Sequence, residues 1–296
     1  MSQLIKKIRT DAGDLQIDYT SLANLPTISN PNLLINSDFR NPINQRSKTK
    51  YIGSTDRVYT IDRWYLDTNN SGRTMEVVND GILITNTDAT YSASFKQTFE
   101  TSLPAGDYTL TAKVTAKTGR VFMRCDGSRV DTRKELEVGI NTLTLTSATI
   151  NSFSFLLYES ASVTLEWAKL EIGTTSTPFS PRPYGEEVML CKRFFQNVNL
   201  YWRPGVVNSA GTVISFAVDV PLRTLQTGSP LVTFYQVPTR IRTTSSNSVD
   251  TTLTLQSSSV ENGVLVLNIA SSTNLEARSI ALVVDEFKMN IDAEIY

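Results

Sequence analysis

The sequence predicts an all-β protein of two jelly-roll-like β-sandwich domains, residues 31–180 and 181–296, preceded by an extended docking arm over residues 1–30 and joined through one short helix. Three observations predict it. Apolar residues recur with period two, as where Leu110, Ala112 and Val114 alternate with Thr109, Thr111, Lys113 and Thr115, the pattern of a strand with one face buried and one in water. Serine and threonine crowd these runs while charged residues make up only 19% of the chain, so exposed strand faces are covered largely without charge. Between Trp167 and Phe195 a strand ends, Pro178, Pro181 and Pro183 follow, and the apolar spacing changes. A chain of 296 residues is long enough for each half to bury its own core.

In chain order, residues 1–30 carry Lys6, Lys7 and Arg9 before Asp11, Asp14 and Asp18. Ile8, Leu15, Ile17, Tyr19, Leu22 and Leu25 make the segment too apolar for a solvated tail, so it reads as an extended arm ordered by a partner or by neighbouring subunits, with a flexible leader as the alternative. From Asn32 to Gly173 come short strands near 75–78, 81–85, 92–99, 121–125, 141–146 and 152–158, with Asn79-Asp80-Gly81 as a hairpin turn. Val163, Leu165 and Trp167 share one face of a further strand, which puts Trp167 in the core. The prolines then remove backbone donors and fix φ. After Gly185, Leu190, Cys191, Phe194 and Phe195 form a helical stripe, with Glu186 and Glu187 at the positive end of the dipole and Lys192 and Arg193 at the negative end. The second sandwich is read from Ile214, Phe216, Val218 and Val220, from the apolar run 264–269, and from Phe287, Met289 and Ile291; Leu253 and Leu255 make 245–259 a polar hairpin.

Composition excludes several function classes. With 28 basic and 29 acidic residues there is no electrostatic footprint for nucleic acid or an anionic membrane. No apolar run approaches the about 20 residues a spanning helix requires, and Met1-Ser-Gln-Leu-Ile-Lys-Lys has no signal-peptide core, so neither membrane insertion nor the usual export is expected. The chain has no histidine, which removes Ser-His-Asp and Cys-His catalysis, His-ligated zinc and an imidazole switch. Paired-carboxylate glycan hydrolysis survives, but needs two acids about 5–10 Å apart, and sequence does not bring Glu166 and Glu171 together. A non-catalytic protein is expected. Cys125 and Cys191 lie on opposite sides of the junction and read as buried thiols, with a disulfide as the alternative.

The junction also carries a resemblance. Trp167-Ala-Lys-Leu-Glu-Ile-Gly173, then Thr177-Pro-Phe-Ser-Pro-Arg-Pro183 and Leu190-Cys-Lys-Arg-Phe-Phe195, resembles the junction of many tailed-bacteriophage fibre and appendage proteins. Upstream, Pro31-Asn-Leu-Leu-Ile-Asn-Ser-Asp-Phe39, Pro42-Ile-Asn-Gln-Arg46 and Tyr59-Thr-Ile-Asp-Arg-Trp64 resemble the opening of the same carbohydrate-binding-like module, so the motifs bracket roughly the first two thirds of the chain. The resemblance implies a tail-fibre or head-fibre protein, a homotrimer assembled in the host cytoplasm and exposed on the virion after lysis. Residues 1–30 would dock on a capsid, portal or baseplate protein, and the ligand would be host cell-surface glycan. The alternative is a structural head-fibre or baseplate component acting through protein contacts. No cofactor is expected, although related modules often hold a structural calcium ion, for which Asn36, Asp38 and Glu171 are the candidates here.

Sugar binding by a sandwich needs aromatic faces to stack on pyranose rings, with amide, carboxylate and guanidinium groups nearby to bond hydroxyls. The first domain offers Tyr51, Tyr59, Trp64, Tyr65, Tyr91 and Tyr158, with Asn69, Asn70, Arg73, Asp126 and Arg129 near strand ends. Trp64 reads first as core, because Asp62-Arg63-Trp64 opens a strand whose inward residues fill the sandwich; Tyr65 would then face outward as the better platform. In the second domain Tyr201, Trp202 and Arg203 form an aromatic-basic turn that reads equally as a receptor contact or as an anchor for the linker.

Overall fold

The period-two runs form strands where the spacing predicts them. A computed structural model describes residues 7–10, 13–16, 29–67, 72–127, 132–219, 230–237, 240–244, 249–261, 264–275 and 277–294. Strands make up 59% of the structure and helix 4%, so the fold is all-β and sandwich-like.

In the first sandwich, Arg73–Val78 pairs with Gly81–Asn86 across the two-residue turn Asn79-Asp80. The positive φ falls on Gly81 alone in this turn, at 144°. A Cβ there would stand 2.0 Å from the Leu165 carbonyl oxygen, so glycine is required by the close approach of the Ala161–Ile172 strand. Two long strands, Ala93–Thr118 and Gly139–Leu157, pair antiparallel along their lengths and change register between Leu145 and Ser152. At one end Ala161–Ile172 joins them, followed outward by Gly81–Asn86, Arg73–Val78 and Lys50–Ile52. At the other end Tyr65–Leu66 lies on one side and Val121–Asp126 on the other. The long strands thus pass from one layer into the other, and the layers enclose Leu34, Phe39, Trp64, Phe95, Leu110, Phe153, Phe155 and Leu165. Trp64 is at the centre, stacked on Phe95 at 4.9 Å, with the edge contacts of Phe39 at 5.3 Å and Phe153 at 5.9 Å.

Two expectations fail on the outer face of this sandwich, each for its own reason. Thr109 and Thr111 are buried rather than in water, because the segment after Ile172 folds back over them. Thr109 Oγ1 donates to the Gly173 carbonyl at 2.7 Å, and Thr111 Oγ1 meets Ser176 Oγ at 3.1 Å. Trp167 leaves the core through a bulge in its own strand. A register shift between Leu165 and Trp167 inserts Glu166, turning Trp167 to the outer face beside Lys169 and Glu171. There it is half-buried under Phe179 of the linker, ring on ring at 4.7 Å and 5°.

The helix spans Tyr184–Lys192, with Glu186 and Glu187 in its first turn and Lys192 in its last. It is shorter than the apolar stripe predicts. Only Cys191 of its residues is buried, while Phe194 lies past its end and Phe195 opens the strand Phe195–Asn199. In the second sandwich a three-stranded sheet orders Phe195–Asn199, Lys288–Asp292 and Leu231–Gln236. A seven-stranded sheet orders Val249–Asp250, Arg240–Thr243, Ile280–Val283, Pro204–Val207, Val213–Asp219, Val264–Ser271 and Leu253–Glu261. Its core holds Ile214, Phe216, Leu267, Ile269, Phe287, Met289 and Ile291, and shares no residue with the first; Val220 lies outside the described residues. Lys7–Thr10 and Gly13–Gln16 form an antiparallel hairpin where an extended arm was expected, because the chain reverses between them and pairs Ile8 with Leu15. The rest of residues 1–28 lies outside the described residues.

Candidate functional site

Most of the predicted first-domain sugar residues are placed where no ring can stack on them. Tyr65 is 1% exposed instead of facing outward. Its strand is covered on both faces: Tyr59 packs at 5.3 Å, Arg57 lies 5.2 Å over the ring, and the hydroxyl bonds Thr98 Oγ1 at 2.9 Å. Trp64, Tyr51 and Tyr59 are buried as well, with the Tyr51 hydroxyl spent on Asn44 Oδ1 at 2.5 Å. Arg73 is buried and donates to the Asp67 carbonyl at 2.9 Å and to the Ser92 carbonyl. Tyr158 is half-buried, its hydroxyl accepting from Arg133 at 2.7 Å and its ring capped by Arg120 at 4.9 Å. Asp126 is held by Arg124 at 2.6 Å and Lys96 at 3.1 Å. Tyr91 alone of the first-domain aromatics named for sugar contact is well exposed. Asn69, Asn70 and Arg129 lie outside the described residues.

The calcium candidates are not brought together. Asn36, at φ 56°, spends its amide on the carbonyls of Ile43 and Asp62 at 2.8 Å each and accepts from the Ile43 N–H at 2.7 Å. Asp38 pairs with Arg40 at 3.1 Å. Glu171 is buried beside Lys169 at 3.1 Å and accepts from the Thr177 N–H and hydroxyl at 2.9 and 2.5 Å. Burial works against its charge, but those hydrogen bonds and the ammonium hold the carboxyl below its ordinary range. Glu166 belongs to Arg40 at 3.3 Å, so the two acids weighed for hydrolysis are each committed to a different cation.

The sequence motifs instead converge on the seam between the sandwiches. Arg46 stacks over Phe195 at 3.9 Å and reaches Asp292 at 3.2 Å and Asp62 at 3.5 Å. Arg63 lies 3.6 Å over Phe194, bonds Glu294 at 2.6 Å and donates to the Thr98 carbonyl at 2.6 Å. Gln45 bridges Asp62 Oδ2 and the Phe195 carbonyl at 2.6 and 2.7 Å. The Gln-Arg, Asp-Arg-Trp and Phe-Phe motifs are therefore parts of one buried interlock. Burial pushes the Asp62 carboxyl up to about 7, against the Gln45 hydrogen bond and the Arg46 charge, with Glu294 adding to the rise. No motif taken alone points to this seam; the one local signal is Asp62-Arg63-Trp64, which sets an arginine between an acid and an aromatic residue.

Two of the open surfaces among the described residues carry polar and aromatic groups together. Tyr201 and Trp202 are 48% and 49% exposed, Arg203 is exposed beside them, and the rings meet edge-on at 5.8 Å. The turn is pinned from behind: Arg203 N–H donates to the Leu200 carbonyl at 2.8 Å, Trp202 N–H to the Val283 carbonyl at 2.9 Å, and Tyr201 N–H to Asn199 Oδ1 at 3.0 Å. Trp202 sits at φ 59°, a left-handed conformation that is costly for a bulky side chain. The turn is presented to solvent, and among the described residues no hydrogen bond or ion pair joins it to residues 174–183. The second surface is a cleft of about 360 Å³ between residues 32–43 and residues 179–187. No protein-family model matches the chain, and no curated protein matches it. No helix among the described residues is long and apolar enough to cross a membrane.

Proposed function

We propose that this chain is a non-catalytic subunit of a phage virion appendage that adheres to host-surface glycan through Tyr201, Trp202 and Arg203. The observation that carries the reading is Trp202: a half-exposed indole held in left-handed backbone beside an exposed tyrosine. Strain of about 1–3 kcal/mol persists only where surrounding structure imposes it, and it concentrates at ligand-contacting positions. Two rings at an angle and an adjacent guanidinium supply what a pyranose needs, an apolar platform and a hydroxyl partner. In a homotrimer, weak contacts of this kind gain roughly 10² to 10⁴ in avidity when geometry permits. Residues 1–30 would fasten the subunit to capsid, portal or baseplate.

A structural component working through protein contacts is the second reading, favoured by the burial of Tyr51, Tyr59, Trp64 and Tyr65 in the first sandwich. A glycan array separates the two. Adhesion predicts that the intact chain binds a defined set of glycans and that Trp202→Ala and Arg203→Ala lose at least about tenfold in affinity, roughly 1.4 kcal/mol. A blank array, or binding indifferent to Trp202, favours the structural reading.

A further inference from the structure

The cleft between the opening segment and the linker is built differently from a packing defect. Its walls are fixed by Arg182, which donates to the Leu34 carbonyl at 2.9 Å and to the Asn32 carbonyl and pairs with Glu187 at 3.0 Å, while Glu187 accepts from the Asn36 N–H. Phe179 is clamped on Trp167, so the linker side cannot fall inward. These contacts consume Arg182 and Glu187, and Asn32, Asn36 and Ser37 are spent on hydrogen bonds within the opening segment and its neighbours. Tyr184 is 72% exposed, and Asn41, Ser180 and the Tyr184 hydroxyl make no side-chain hydrogen bond to the protein among the described residues. Asp38 gives one oxygen to Arg40 and keeps the other. Each charge lining the cleft has its partner, so the cleft offers a ligand an aromatic face, an amide, hydroxyls and one carboxylate oxygen, with no uncompensated charge.

We propose that the junction cleft binds one neutral sugar ring, seated on Tyr184 with its hydroxyls on Asn41, Ser180 and Asp38. A charged ligand would meet no free counter-ion, and a purely apolar one would strand the amide and the hydroxyls. A volume of about 360 Å³ is at the lower end of small-ligand pockets, about 300–1,000 Å³, which suits a monosaccharide and not a long chain. Because the walls are preformed, binding orders few groups. The site is distinct from the Tyr201 turn, and the inference stands whether or not that turn binds glycan.

The test uses the intact chain with glucose, galactose, mannose, N-acetylglucosamine and N-acetylgalactosamine as probes, read by saturation-transfer NMR and by thermal shift. At least one of them should bind and raise Tm, since a ligand that binds only the folded state stabilises it. Tyr184→Ala and Asn41→Ala should each weaken binding at least about tenfold, and Tyr184→Phe should keep most of it. Both positions are exposed, so the variants should fold, which circular dichroism checks. Val138→Ala, at an exposed position that lines neither the cleft nor the turn, should leave this binding unchanged. Absence of binding by every probe, or binding indifferent to Tyr184→Ala and Asn41→Ala, overturns the proposal. Binding lost only in Trp202→Ala also overturns it, while supporting the adhesion site.

Discussion

Arg63 and Glu294 meet across the seam between the sandwiches at 2.6 Å, with side chains 3% and 0% exposed. Glu294 also accepts from the Arg63 backbone N–H at 3.1 Å, so one carboxylate holds both the main chain and the side chain of its partner. Removing one member of a buried pair leaves an uncompensated charge and costs about 3–5 kcal/mol. Glu294→Ala should lower stability by that amount in urea unfolding. Arg63→Met combined with Glu294→Leu should cost clearly less than the sum of the single changes.

The charges at the seam predict a pH dependence. Arg46 and Arg63 face three acids, Asp62, Asp292 and Glu294, with Cys191 and Tyr51 also close enough to Asp62 to feel its charge. The Asp62 carboxyl rises from an ordinary 3.8 to about 7, so between those values the folded chain holds a proton that the unfolded chain has released. Its contribution is therefore fully present below 3.8 and lost as pH rises through about 7. Despite burial, hydrogen bonds from Thr177 and Lys96 hold Glu171 and Asp126 low, and those contributions are lost only on the acid side of their ordinary values. Urea midpoints should fall from about pH 5 to about pH 8, and Asp62→Asn should flatten that slope.

Much of the fold was legible because alternation is a direct record of which face meets the core. Phe216, Leu267 and Met289 are buried as their spacing requires. What escaped was covering by other segments. The alternation of Thr109 and Thr111 is genuine, but the linker buries both faces, and the bulge at Glu166 turns Trp167 over without altering the sequence pattern. The site was less legible. A run such as Arg63-Trp64-Tyr65 gives no sign that all three are buried, because what covers Arg63 is Phe194 and Glu294, far along the chain.

Cys125 and Cys191 are free and buried, as their reading as buried thiols requires, and no disulfide joins them. Burial pushes both thiols well above their ordinary value, with Asp126 adding to the rise at Cys125 and Asp62 at Cys191. A thiol reagent at pH 8 should label neither in the native protein and both after unfolding in guanidinium.

The left-handed Trp202 yields a prediction that separates function from folding. Left-handed backbone costs an L-residue about 1–2 kcal/mol, a cost glycine does not carry. Trp202→Gly should therefore leave stability unchanged or raise it by up to about 1 kcal/mol, measured by thermal unfolding, while removing the indole platform. Destabilisation by Trp202→Gly would mean that the indole supports the fold.

The most direct test of adhesion through the Tyr201-Trp202-Arg203 turn is the per-subunit affinity of intact protein and Trp202→Gly for the strongest glycan of the array, by isothermal titration calorimetry, with light scattering on the same samples. The account predicts unchanged assembly, a trimer in both, and at least about a tenfold loss of affinity in the variant. Equal affinity in the two proteins would contradict it.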